Sequence, residues 1–471
     1  MPNHPEPQGA CSTPLSAPLT FEFSGRAAKN RFLKAAISER LATWDPKEPE
    51  GRGFPTKELI NVYRKWGEGG FGVILTGNIM FEFDQLEAAG NPIIPRGSPF
   101  SGERFDAFEK LATEAKKQGS LIIAQLNHPG RQVKSSIQMN PISASDVQLK
   151  GKAMGMTFEK PRPMEKNDFD AVIAGFAHAA EYCYRAGYDG VQLHAAHGYL
   201  LAQFLAPSTN SRTDKYGGGL ANRSRLIFEI SDAIRARIPD KSFILSIKVN
   251  SVEFEDGGFS TDDCKSLCVQ LERHGFDFVE LSGGTYQTLG FTPKRESTKK
   301  REAFFQEFAD VIIPELKITK CYLTGGLRTV AGMMSALEAA DGVGLARPIC
   351  HEFDLAQKML TGKVTAARDC LIDEQSFALT SVAAGTQYVS PTTLSDAKTN
   401  EDTRIRLVGK GEEPLDLSKT KDRDTFRVAM RRWLELGALD KDNSRHGFID
   451  IERPRLELSG TICSRRGANL A

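Results

Sequence analysis

His194, His197 and Tyr199 place two imidazoles and a phenol directly after DGVQLH (189–194), an apolar run that reads as a buried strand. Imidazole N–H groups can donate to an oxygen that gains negative charge, and a phenol can deliver a proton. The segment that follows, with Asn210, Arg212, Asp214, its glycines and then Asn222, reads as a structured loop leading into a helix. Groups that polarise one end of a bond and protonate the other point to an enzyme acting on a polarised double bond. HAAH has neither the glutamate nor the spacing of a HExxH zinc helix, so no metal is expected there.

Such residues need a scaffold, and the chain alternates short apolar runs with longer helical windows. The strand candidates are 31–37, 71–77, 120–126, 189–194, 243–249, 276–282, 321–326 and 341–347. Helical windows lie between them, among them 103–119, 169–187, 221–238 and 329–340. Eight such strands, each followed by a helix or a loop long enough to hold one, is the count of a (β/α)8 TIM barrel, an α/β fold. An open doubly wound sheet would want GxGxxG opening a helix after its first strand. The nearest string, GEGGFG (67–72), precedes a strand and reads as a turn.

Composition narrows the partners. With 61 basic and 60 acidic residues the net charge is +1, which gives no electrostatic case for nucleic acid or an acidic membrane. No apolar run approaches the ~20 residues of a membrane helix. The eight cysteines form no CxxC pair, and Cys264 and Cys268 sit four apart in an amphipathic helix, where packing accounts for them. Reduced thiols in a cytoplasmic protein are the expectation. The proline-rich residues 1–20 read as a flexible tail, 21–375 as the barrel and 376–471 as an extension. The extension begins as a polar, turn-rich linker and continues as a helix in DTFRVAMRRWLELGALD (424–440). Phe426, Met430, Trp433 and Leu434 would share one face there, with Gly437 as the stop, packed on the barrel or on a partner subunit. A homo-oligomer is compatible with this.

In a TIM barrel the chemistry comes from the C-terminal ends of the strands. Ser38, Gly77, Gln125, His194, Lys248, Gly325 and Arg347 each close or follow a strand candidate. Around them stand NRFLKAA (30–36), GVILTGN (72–78), AQLNHPGR (124–131), HAAHGYL (194–200), FLAPSTNSRTDKYGG (204–218), LSGGTY (281–286), TGGLR (324–328) and GLARP (344–348). In this order the chain resembles the old yellow enzyme family, the FMN-dependent NAD(P)H:flavin oxidoreductases and ene-reductases. HAAHGYL followed by NxRxDxYGG is the most specific part of the likeness.

The resemblance implies one FMN per barrel, with NADH or NADPH as reductant and a small-molecule substrate. Backbone N–H groups of Gly325, Gly326 and Ala346, with the Arg347 guanidinium, would take the phosphate. Gln125 matches the family's glutamine on the pyrimidine edge of the flavin, and Gly77, or Ala36 opposite it, would leave room for the ring. Lys248 stands where the family usually has arginine near N1 and O2. Ser38 stands where many relatives have threonine or cysteine near O4. His194 and His197 would hold the oxygen of an α,β-unsaturated carbonyl or nitro compound, and Tyr199 would protonate its α-carbon in a ping-pong hydride transfer. His128 and Arg131, after the third strand, and Tyr286 would shape the substrate mouth. A redox-neutral isomerase or dehydrogenase is the alternative within flavin chemistry, and a flavin-free scaffold barrel the alternative outside it. Relatives that carry an iron–sulfur cluster and a second dinucleotide domain differ, since the C-terminal part here lacks the cysteine cluster and GxGxxG.

Overall fold

A computed structural model of the chain describes residues 13–150, 156–253, 256–283, 309–372, 379–380, 382–385, 416–440 and 443–449. Eight parallel strands close into a barrel in chain order: β1 (Phe32–Lys34), β2 (Val73–Ile79), β3 (Leu121–Leu126), β4 (Gly190–Ala195), β5 (Ile244–Asn250), β6 (Phe278–Ser282), β7 (Lys320–Thr324) and β8 (Gly342–Leu345). Each falls within or overlaps one of the eight apolar runs. The strands read as near-continuous apolar sequence because the ring of helices covers their outer face while their inner face fills the barrel.

Side chains alternate across a strand, so the inward set recurs every second residue. Leu33, Ala35, Val73, Leu75, Ile123, Ile244, Phe278 and Tyr322 form one buried apolar cluster inside the barrel. Further along the strands the inward set turns polar: Gln125 and Glu280 stand two positions beyond Ile123 and Phe278, and Lys248 four beyond Ile244. The bottom of the barrel is therefore packed and its top is equipped for chemistry. A small hairpin pairing Leu19–Thr20 with Ala27–Ala28 stoppers the N-terminal end, with Phe21 against Phe278 at 5.4 Å between ring centroids.

That hairpin corrects the expected tail. Residues 13–20 belong to the packed structure, since Leu15 and Leu19 are buried and the Leu15 carbonyl accepts from the Arg31 N–H at 3.0 Å. The helix at Thr420–Leu439 also runs past Gly437, and its last N–H bond goes from Asp440 to the Gly437 carbonyl. One glycine in a helix costs only about 1 kcal/mol, too little by itself to end the helix. Phe426 of this helix is fully buried with Ile372, Leu417 and Ile449, whereas Leu434 is 54% exposed. No helix among the described residues is long and apolar enough to cross a membrane.

Candidate active site

A cavity of about 860 Å³ opens at the C-terminal ends of the strands, within the size range of sites for small molecules and cofactors. His194, next to last in β4, points into it, and the chain then reverses through Ala196–Gly198. His197 sits at φ +59° and Gly198 at φ +76°. The left-handed region is uncommon for a side-chain-bearing residue, so surrounding bonds must hold it. The His197 N–H donates to Asn250 Oδ1 at 3.3 Å, and its carbonyl accepts from Gln132 Nε2 at 3.1 Å. The turn swings the second imidazole back over the first. Tyr199 then starts the helix Leu200–Leu205, its ring edge-on to His194 at 4.7 Å between centroids.

The two rings belong to one hydrogen-bonded row. His194 Nδ1 lies 2.7 Å from Asn78 Oδ1, His194 Nε2 lies 3.1 Å from His197 Nδ1, and His197 Nε2 lies 3.0 Å from Ser282 Oγ. Burial holds the His194 imidazolium form well below its usual range, and the neighbouring His197 and Lys248 reinforce this. Burial, then Lys248, pushes His197 down to about 3. Both rings are thus neutral near pH 7, and each carries one ring proton. With the Asn78 oxygen facing Nδ1, that nitrogen holds the His194 proton and Nε2 accepts from His197. If the Asn78 amide is turned the other way, Nδ1 accepts and Nε2–H becomes a donor toward the cavity. Asn78 therefore selects which His194 nitrogen can donate.

Buried neutral histidines also fix an acid response of the fold. His197 and His128 titrate near 6.5 in an unfolded chain but are both held down to about 3 here. The unfolded chain therefore binds more protons between these values. Stability is fully present above pH 6.5 and is lost as pH falls toward 3, at up to about 1.4 kcal/mol per pH unit for each group. Urea midpoints at pH 7.5, 6.0 and 5.0 are expected to fall in that order; a profile flat over that range contradicts the assignment.

A second row crosses the barrel beneath the cavity. Gln125 Nε2 donates to Gln192 Oε1 at 2.7 Å, Gln192 Nε2 donates to Glu280 Oε2 at 3.0 Å, and Lys248 Nζ reaches Glu280 Oε1 at 2.9 Å. Lys248 and Glu280 form a buried ion pair whose geometry must offset the desolvation of both charges. Gln125 and Lys248 line the cavity, as do Ala36 and Ser38. The Ser38 hydroxyl is 3.5 Å from Asn78 Nδ2, at the limit of a hydrogen bond.

The third part of the wall follows β7 and β8. Gly325 at φ +133° and Gly326 at φ +77° adopt backbone conformations that favour glycine, and both line the cavity with Ala346 and Arg347. An Arg347 amino group donates to Thr380 Oγ1 at 2.8 Å. A side chain on Gly344 would meet Thr324 Oγ1 at 1.9 Å, so the backbone here is kept bare. Thr324 Oγ1 is itself buried without a hydrogen-bond partner among the described residues, and Thr324 lines the cavity. An amide, a cation, a glycine cradle beside an arginine and an orphaned hydroxyl fit a flat, polar-edged ring carrying a phosphate.

Three expected positions differ. Gly77 does not line the cavity: a β-bulge between Leu75 and Asn78 shifts the register, so Asn78 takes the cavity side. The Gly77 α-carbon faces Glu39, and its N–H donates to Glu39 Oε1 and Tyr63 Oη. His128 is buried beside Phe81 with Nδ1 accepting from the Gly130 N–H, and Arg131 donates to the Val147 carbonyl, so neither reaches the mouth. Tyr286 lies outside the described residues. The loop NxRxDxYGG is architectural: Asn210 Nδ2 donates to the Phe204 and Tyr216 carbonyls, Arg212 to those of Ala144 and Met164, and Tyr216 stacks on Phe169 at 3.8 Å. Asn78, Gln192, Asn250, Glu280 and Ser282 were not singled out from the sequence. The inward every-second-residue register of FDFVELS and DGVQLH is the signal that could have found Glu280, Ser282 and Gln192.

The family model for the NADH:flavin oxidoreductase / NADH oxidase family matches residues 14–365. NADH-dependent flavin oxidoreductase nadA of Aspergillus parasiticus is 48% identical over 436 residues, 92% of this chain and 94% of its own. NADH-dependent flavin oxidoreductase iccE of Talaromyces variabilis is 36% identical over 348 residues, 69% of this chain and 81% of its own. Among solved structures, the old yellow enzyme homologue from Zymomonas mobilis is similar with a TM-score of 0.60 at 23% identity, covering 76% of this chain and 95% of that one. Morphinone reductase gives 0.61 at 20%, covering 77% and 92%. The chain belongs to the old yellow enzyme family, and FMN is its cofactor.

Proposed function

We propose that this protein reduces the activated C=C bond of α,β-unsaturated carbonyl compounds, with NADH or NADPH as electron source. The observation that carries this reading is the neutral imidazole pair and phenol lining the same cavity as Gln125, Lys248 and the Gly325–Gly326 cradle. Bound FMN would supply the hydride for the β-carbon, having taken it from the nicotinamide.

The chain's own residues would do the rest. Ala346, Arg347 and the two glycines would hold the phosphate, Gln125 and Thr324 would offer polar atoms to the ring system, and Lys248 would place a positive charge beside it. His194 Nε2–H and His197 Nδ1–H grip the substrate carbonyl oxygen as it gains charge, with the Asn78 amide turned so that His194 can donate. Tyr199 delivers the proton to the α-carbon, and the phenol regains one from solvent. The balance is one hydride and one proton added across the C=C bond. Under anaerobic conditions one saturated ketone should form per nicotinamide oxidised; nicotinamide oxidation without saturated product removes the reading.

Lys248→Met tests the cofactor wall. It is expected to weaken FMN retention by roughly tenfold or more, since a charged hydrogen-bond donor is lost. It should also lower Tm, because Glu280 is left buried without its cation. Adding Glu280→Gln should restore the Tm but not the FMN affinity, both read on the dialysed protein. Recovery of both would show that Lys248 acts only through Glu280.

A further inference from the structure

The family match ends at residue 365, yet the cavity does not. The helix Thr420–Leu439 and the residues behind it bring Met430, Trp433, Leu434 and Phe448 to the same cavity as His194, His197 and Tyr199. This segment is fastened to the barrel mouth. Trp44 Nε1 donates to the Asn443 carbonyl at 2.8 Å, and Lys134 Nζ to Asn443 Oδ1 at 2.9 Å. The Arg40 guanidinium lies 4.9 Å from the Phe448 ring centroid. Arg368 pairs with Asp416 at 3.2 Å, and Phe426 is buried against Ile372. An alignment over 92% of the chain cannot be contained within residues 1–365, so the Aspergillus parasiticus relative extends into this segment too.

We infer that the C-terminal segment is the ceiling of the substrate site, and that it selects a flat, fused-ring, largely apolar substrate bearing its oxygen at one end. Two observations carry this. The helix of the ceiling presents an indole, a thioether and an isobutyl group, joined by the Phe448 ring and edged by Asp440, Asn443, Arg445 and His446, to a cavity whose inner end is polar. Leu434 stays 54% exposed there, an apolar side chain left for an occupant to cover. Aromatic side chains favour stacked or edge-on ring partners beyond the area they bury. The inference deepens the proposed ene-reduction and rests on the same imidazole grip.

Phenol, 2-naphthol and 9-phenanthrol present one oxygen on one, two and three rings. Equilibrium dialysis of the FMN-loaded protein is expected to show affinity rising roughly tenfold or more from phenol to 9-phenanthrol. Trp433→Ala should remove most of that gain, and Trp433→Phe should restore part of it. Leu434→Asp, at an exposed position where folding is not at stake, should reduce the gain as well. A preference for 9-phenanthrol that neither Trp433→Ala nor Leu434→Asp changes overturns the ceiling, as does the absence of any preference in the parent protein. Dialysis reads binding without turnover, so failure to reduce enones would count against the proposed reaction and leave this result to stand or fall separately.

Discussion

Tyr199→Phe is expected to slow steady-state reduction of an enone by roughly 10²-fold or more, within the range a positioned general acid contributes. The loss should fall on the half-reaction in which the enone takes up hydride and proton. Single-turnover reduction of the bound FMN by NADH needs no proton from the phenol and should continue. Tyr199 is almost fully buried beside His194 and lines the cavity, so bulk water is a poor substitute for it. Stopped-flow spectra of the two half-reactions separate the outcomes. Equal slowing of both halves would point to a packing role, and an unchanged enone half-reaction would remove Tyr199 from proton transfer.

His197→Leu is expected to lower kcat/KM for the enone by roughly 10²- to 10³-fold, the effect of removing one donor from an oxyanion site. Two causes act together. The N–H facing the substrate oxygen is lost, and a bulky aliphatic residue must adopt φ +59°. His197→Asn separates them, because asparagine tolerates left-handed backbone and offers a side-chain N–H. It should recover much of the loss, and it should bind 2-naphthol more tightly than His197→Leu does. If both substitutions cost the same, backbone strain and not the donor explains the residue. Because the rings are neutral at working pH, the parent's enone reaction should show no imidazole titration between pH 6 and 8.

The eight strands were legible because inner and outer faces are both buried, which leaves β1 to β8 as near-continuous apolar runs between helical windows. His194, His197 and Tyr199 were legible because they lie together in sequence. Asn78 was not, because only the β-bulge before it turns that side chain to the cavity. Glu280 and Gln192 were missed for a related reason: their partners, Lys248 and Gln125, come from other strands, and a single chain reading cannot show which inward residues meet across a barrel. His128 and Arg131 misled because NHPGR is a strand-end loop in which His128 accepts from the Gly130 N–H and Arg131 turns away to the Val147 carbonyl. Phe426 and Trp433 were placed on one helix face by spacing alone, but where that face docks depends on contacts such as Asn443 with Trp44 and Lys134.

The most direct test is a crystal structure of the FMN-loaded protein with 2-naphthol bound. The phenolic oxygen is expected within about 3 Å of both His194 Nε2 and His197 Nδ1, with the Asn78 amide nitrogen toward His194 Nδ1, the naphthyl rings over the flavin and Trp433 above them. An oxygen that touches neither imidazole, or a flavin seated away from Gln125 and Lys248, would contradict the account.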